Sequence, residues 1–299
     1  MSLLPDTGSV ELRSYAEYTI ERLANGGRLD ERTATEVRPV SVVREAQGDG
    51  TGPLSSVLFT DKSGRCFSAT VHGVFGPAWP TQPRQGRLNV YVTAPMLGNR
   101  IEGSTLYGRG QVISSQQEDV ALRVAEGYVR EVLLSCLDME KLCVVEGEAC
   151  WVLTITITCF HADGGLRPAC LHAALAALHG LTLPRARLPN GVVVEPTAVS
   201  LSRLPVACAY GIHSSRTTGE VRLLADPSAA EEYICETSAM VTVDEKDNVL
   251  SVLFTSPNPL QPSVLTTVVD QWLAAAPAFR AASSRDCEES NGTPNQPIE

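Results

Sequence analysis

The chain has 299 residues, of which 19% are charged and 5% aromatic, with a formal net charge of −10. That length supports one large domain or two medium ones, with a core built mainly from aliphatic residues and alanine. The negative balance excludes nucleic-acid binding over the whole surface, so any RNA or DNA contact must be a local basic patch or be shared with partners.

In chain order, residues 9–25 are predicted to form a helix, with Leu12, Ala16, Thr19 and Leu23 on one face and Gly26-Gly27 ending it. A charged, turn-like segment runs from there to Val37. Strands are predicted at 37–43, 55–60, 65–75 and 87–93, and the turn Asp61-Lys62-Ser63-Gly64 pairs the second with the third as a hairpin. The proline-rich run at 76–86 is a loop, because proline cannot serve a central strand. A second loop, 95–110, carries Arg100 and Arg109. Ser115 and Glu118 fit a capping box opening a helix to residue 137, with Ala121, Ala125, Tyr128, Val132 and Cys136 on its dry face. A short strand at 142–145 follows.

The stretch 150–180 organises the chain. Trp151, Leu153, Ile155, Ile157 and Cys159 alternate with threonines as a strand. Asp163-Gly164-Gly165 breaks it, and Pro168 fits a first helical position. The helix that follows is apolar nearly all round, so it is predicted to be buried, with Gly180 ending it. A buried helix fed by a Gly-Gly turn is a potential anion site, since its first N–H groups lack internal partners. Past Pro184 the chain is predicted to turn, then to form strands at 205–212, 220–225, 239–243 and 249–254, and a helix at 262–276. Four strands and a helix thus recur in each half, which suggests two similar α+β halves. The polar residues from 283 onward are predicted to be disordered.

Nine scattered cysteines without framework spacing point to a reducing compartment. No stretch approaches the roughly 18 apolar residues that span a bilayer, and the first residues lack a basic region before an apolar core. The expectation is a soluble intracellular protein without a membrane partner. Competing chemistries find little support. Asp163-Gly164-Gly165 on its own could be only a turn before a helix, and Arg167 could pair with a local carboxylate. His161, His172, His179, Cys159 and Cys170 cluster, but their spacing is no usual zinc pattern, so a core or interface role is expected and no metal. No Gly-x-Ser-x-Gly elbow presents a serine nucleophile.

Four segments, in order, resemble the RNase PH family: GGRLDERTATEVRPVSV, LCVVEGEACWVLTITITCFHADGG, ADGGLRPA and LLADPSAAEEYICETSAMVTVDEKDNV. The resemblance covers residues 20–276 and is nearest in form to the non-catalytic ring subunits of the RNA exosome. It implies an α+β, RNase PH-type fold of two sheet-plus-helix halves, placed at 35–190 and 191–276, after an N-terminal helix and lead-in segment (1–34) and before a polar tail (277–299). It also implies a six-membered ring around a channel for single-stranded RNA. The implied partners are other RNase PH-like ring subunits, cap proteins with RNA-binding domains and associated ribonucleases, in nucleus, nucleolus and cytoplasm, with no cofactor.

Residue by residue, the resemblance makes Gly164, Gly165, Leu166 and Arg167 a vestigial phosphate loop. Leu166 stands where active members place Thr or Ser, and Pro168 brings no N–H. The acidic pair of active members falls on Glu232 and Ser238, and a serine cannot replace a metal-binding carboxylate, although Glu231, Glu236 or Asp244 could shift the count. Where active members place arginines, this chain reads SSQQEDV. The expected function is therefore that of a catalytically inactive ring subunit, with the loop residues Arg84, Arg87, Arg100 and Arg109 as RNA-contact candidates. The alternatives are an active phosphate-dependent 3′→5′ exoribonuclease using Arg167, and an unrelated two-half binding protein.

Overall fold

The computed structural model describes residues 17–45, 52–95, 115–188, 193–214, 221–235, 237–257 and 261–289, with the single residues 191 and 259; of residues 115–119 and 283–289 it describes the backbone only. Helix α1 (residues 17–24) buries Thr19 and Leu23, two of the residues expected on its inner face; Leu12 and Ala16 lie outside the described residues. Next come β1 (Val40–Arg44), β2 (Ser55–Asp61), β3 (Cys66–Gly76), β4 (Arg87–Thr93), α2 (Ser115–Cys136), β5 (Cys143–Val145), β6 (Ala149–His161) and α3 (Leu166–Leu178). Their sheet has the order β1-β2-β3-β6-β4, with β5 hairpinned onto β6. All pairings are antiparallel except β4 with β6, so β4 is an open edge strand.

The turn expected at 184–191 lies within two short antiparallel ladders that span residues 182–198. Here β7 (Thr182–Leu183) pairs with β10 (Thr197–Ala198), and β8 (Ala186–Arg187) with β9 (Val193–Val194). The remaining elements are β11 (Val206–Ser214), β12 (Val221–Ala225), α4 (Ala229–Ile234), β13 (Thr237–Val243), β14 (Val249–Thr255) and α5 (Pro262–Glu289). They give an antiparallel sheet in the order β12-β11-β13-β14.

Helix α3 explains the layering. It packs on β2, β3 and β6 on one side and on β11 on the other. A helix with a sheet on each flank has no wet face, which is why Ala169, Cys170, Leu171, Ala173, Ala174, Ala177 and Leu178 are all buried. Its alanines are small enough to let both sheets approach. Along β13 the period of two sorts the core: Ala239, Val241 and Val243 pack with Val268 and Trp272 of α5, whereas Met240 joins the core around α3. The second sheet is therefore covered on both faces. On the first sheet α2 and α3 share a single core with Val57, Phe59, Ala69, Ile155 and Ile157, while on the opposite face Ala78 packs on Cys150 and Val152 at one end. Among the described residues no helix is long and apolar enough to cross a membrane.

Helix α5 departs from expectation. It was placed at 262–276 with a polar tail after it, yet it continues through Pro277 to Glu289. Phe279 gives the reason: its ring centre lies 4.9 Å from that of His172 and 5.8 Å from that of Trp272. Arg280 adds a bond to the Asp244 carbonyl at 2.9 Å. Tertiary contacts past the proline thus hold the helix that local propensity would end.

Candidate functional site

Strand β6 delivers Asp163-Gly164-Gly165 to the N-terminus of α3. Both glycines take left-handed backbone, at φ 71° and 61°, and Gly165 is the N-cap. A Cβ on Gly164 would collide with the Pro227 carbonyl oxygen, and one on Gly165 would lie 3.0 Å from Arg65 Nη1. The Gly-Gly pair is thus required by the close approach of residues 226–228, whatever else it does. Helix α3 opens at Leu166, so Pro168 is its third residue and not its first. Proline is tolerated there because the first-turn N–H groups have no internal acceptor. Asp163 is committed to structure: Oδ1 accepts from Ala229 N–H and Oδ2 from Arg38 Nη1, each at 2.9 Å.

Behind the loop lies a buried charge cluster. Arg38 donates to Asp226 from Nε at 2.8 Å, from Nη2 at 2.7 Å and from its backbone N–H at 3.0 Å. Arg65 Nη1 reaches Asp226 at 3.0 Å, and Arg65 also pairs with Asp61. Arg32 bonds the Asp226 backbone carbonyl at 3.0 Å. Burial alone would raise the Asp226 carboxyl, but the Arg65 and Arg38 guanidiniums hold it well below the usual carboxylate range. So saturated a carboxylate has little left to offer a metal ion. Arg28 forks onto Glu231, at 2.8 Å to Oε1 and 2.6 Å to Oε2. Glu231 in turn accepts from Ser228 N–H at 2.9 Å, completing the capping box that opens α4.

The next residue, Glu232, faces the loop. Its Oε1 accepts the Gly165 N–H at 2.8 Å, so an internal carboxylate sits at the N-terminus of α3 where the sequence suggested an external anion. Burial pushes this carboxyl up to about 7, opposed by the Gly165 N–H and by the charges of Arg38 and Arg167. Arg167 is half-buried and makes no hydrogen bond or ion pair among the described residues. Ser238 lies on β13 between Gly211 and Thr255, on the strand face it shares with Met240 and Thr242.

The basic RNA-contact candidates are elsewhere. Arg87 is level with Val152 near the start of β6, nine residues before His161, which puts it about 30 Å from the glycine loop. It stacks over the Trp79 ring at 4.4 Å, in a surface groove of about 510 Å³ that also contains Arg130 and Asn89. Arg84 is exposed and pairs with Glu146 at 2.9 Å. Arg100 and Arg109 lie outside the described residues, as do the side chains of the expected capping box at Ser115 and Glu118. His172 is a core residue: its Nε2 accepts the Ala207 N–H at 3.1 Å, and burial pushes the imidazole down to about 3. Sequence reasoning missed Arg28, Arg38, Arg65 and Asp226 as one cluster. The available signal was the pairing of the Arg-x-Asp-x-Arg lead-in with Asp226-Pro227.

Comparison with known proteins agrees with this architecture. Residues 66–184 match the model of domain 1 of the 3′ exoribonuclease family, RNase PH, and residues 203–271 match that of its domain 2. The chain is 27% identical over 158 residues to exosome complex component Rrp42 of Methanosarcina mazei, a match spanning 53% of this chain and 55% of that protein. It is 22% identical over 256 residues to exosome complex component RRP45 of Saccharomyces cerevisiae, across 80% of this chain and 78% of that one. The solved exosome of Archaeoglobus fulgidus with RNA bound to the active site contains a chain of the same fold, with TM-score 0.71 and 21% identity, covering 91% of this chain and 98% of that one.

Proposed function

The chain belongs to the RNase PH family of 3′ exoribonucleases, and from that premise we propose that it is a non-catalytic ring subunit of an RNA exosome. It completes the ring, contributes to the wall of a channel for single-stranded RNA, and offers surface to cap proteins with RNA-binding domains and to associated ribonucleases, in nucleus, nucleolus and cytoplasm. Arg84 and Arg87 at one end of the first sheet, and Arg100 and Arg109 after β4, are the RNA-contact candidates.

One observation carries the loss of catalysis: the Glu232 carboxylate on the Gly165 N–H. Phosphorolysis needs inorganic phosphate at this loop, held by N–H groups, a hydroxyl and an arginine, with carboxylates to hold a metal. Here the loop N–H is taken by a side chain, Leu166 offers no hydroxyl, Pro168 has no N–H, and Ser238 stands in for the second carboxylate. A competing reading, an active phosphate-dependent exoribonuclease, is favoured by Arg167, which has no ion-pair partner among the described residues. Incubation of the purified chain with single-stranded RNA, magnesium and phosphate separates the two. The expected result is no nucleoside diphosphate. Phosphate-dependent release that vanishes with Arg167→Ala would establish the enzyme instead.

A further inference from the structure

Strands β5 and β6 form a hairpin in which Cys143 stands directly opposite Cys150. Cross-strand partners in an antiparallel ladder have Cα atoms about 4.5–5.5 Å apart and project their side chains to one face. That spacing falls inside the range of about 4.4–6.8 Å that a disulfide spans. Both cysteines are free thiols, and among the described residues no other two cysteines face each other in a ladder. The face they share is the one that Ala78 covers at this end of the sheet.

The two thiols hold a single loop. Cys150 Sγ donates to the Pro77 carbonyl and Cys143 Sγ to the Pro83 carbonyl, each at 3.7 Å. Between those carbonyls the loop turns tightly, with the Gln82 N–H on the Trp79 carbonyl at 2.9 Å. Trp79 carries the Arg87 guanidinium on its ring and lines the groove of about 510 Å³. The pair is also unequal in access. Cys150 is fully buried and burial pushes its thiol up, whereas Cys143 is half-buried and open to a small solute.

We propose that Cys143 and Cys150 are a reversible redox pair, a modification site for peroxide that controls the Pro77–Pro83 loop. Hydrogen peroxide is the oxidant. The Cys143 thiolate attacks one peroxide oxygen, so that an S–O bond forms, the O–O bond breaks, and the departing hydroxide takes a proton to become water. Cys150, as thiolate, then attacks the Cys143 sulfur: the S–S bond forms, the S–O bond breaks and a second water leaves. Two thiols and one peroxide thus give one disulfide and two waters. A disulfide has no S–H, so both bonds to the loop are lost. The Pro83 carbonyl keeps the Gly147 N–H at 2.9 Å, so the Pro77 end is the one released. Neither step depends on the ring-subunit function proposed above.

The purified full-length chain is treated with hydrogen peroxide, alkylated and cleaved after glutamate, which parts Cys143 from Cys150 at Glu146 and Glu148. The expected product is those two peptides joined, returning to free thiols with dithiothreitol. Cys150→Ser should leave Cys143 as a sulfenic acid that dimedone traps, and Cys143→Ser should leave Cys150 unmodified, each at a thermal midpoint within a few degrees of the unmodified protein. In the joined form, hydrogen exchange should speed at Ala78, Trp79 and Thr81, while Gly86, bonded to the Met139 carbonyl at 2.8 Å, keeps its rate. Cys143 of the unmodified chain recovered as a free thiol or a sulfinic acid, or joined to another cysteine or another chain, would overturn the pair. A joined pair with exchange unchanged across residues 78–82 would overturn its control of the loop.

Discussion

Arg28 and Glu231 are 2% and 1% exposed, and they join segments 203 residues apart through two short hydrogen bonds. A buried pair of this kind adds little net stability compared with an apolar pair, but loss of one partner strands the other charge. Glu231→Ala leaves Arg28 with the carbonyls of Thr33, Glu36, Ala225 and Asp226 and with only the half-exposed Asp30 carboxylate, 3.8 Å from its Nε, as a counter-charge. The expected cost is about 3–5 kcal/mol, read as a lower urea midpoint at an unchanged slope. Glu231→Gln should recover part of it, because an amide oxygen can still accept from the guanidinium. The neighbouring Glu232 has a different task. One residue along the same short helix, it turns from the arginine cluster to the α3 N-terminus, so adjacent glutamates serve the fold and the closed anion site respectively. Spacing alone could not separate those roles, since both sit in one Glu-Glu pair and only the packing of α4 against the glycine loop decides between them.

Elements with a strong period were legible from the residues. The alternation in β6 and the all-round apolarity of α3 reflect direct burial, and both elements form where that pattern places them. What was not legible depended on contacts distant in sequence. Helix α4 is only six residues long, held by its capping box and by Arg28, and it has no apolar period of its own to read. The β7–β10 and β8–β9 ladders are two residues each, too short to alternate. The last helix is expected to end at residue 276, yet it runs on through Pro277 because Phe279 packs beyond it. This last case can be measured. If tertiary packing sustains α5 against its own sequence, Pro277→Ala should relieve a local penalty and raise stability by about 1–3 kcal/mol, visible as a higher thermal midpoint. A decrease would mean that the proline supports a bend which the Phe279 contact requires. The glycine loop was legible as a turn before a helix, but its occupant was not, because Glu232 reaches it from 67 residues away.

At the scale of the molecule, the two halves are joined at a charged seam, so their association should respond to pH in two opposite ways. Asp226 brings Arg38 and Arg65 of the first half to the second, and its carboxyl is held far below the ordinary value of 3.8. A depressed carboxyl contributes stability that is present above the unfolded value and is lost as pH falls toward the folded one. The acid limb therefore begins below about pH 4. Glu232 works in the other direction. Its carboxyl is raised from 4.5 to about 7, so its contribution is fully present below 4.5 and is lost as pH rises through about 7. A shift of that size corresponds to about 3 kcal/mol at most. Stability should thus peak between these limbs, near pH 5, and decline toward neutrality. Urea unfolding from pH 3 to 8 checks this, with Glu232→Gln as the decisive variant. Glutamine cannot ionise, so the decline between pH 5 and 8 should flatten while the acid limb below pH 4 remains. If the variant declines as the unmodified protein does, another group governs the neutral limb, and the Glu232 carboxyl is not the one that buries its charge at the α3 N-terminus.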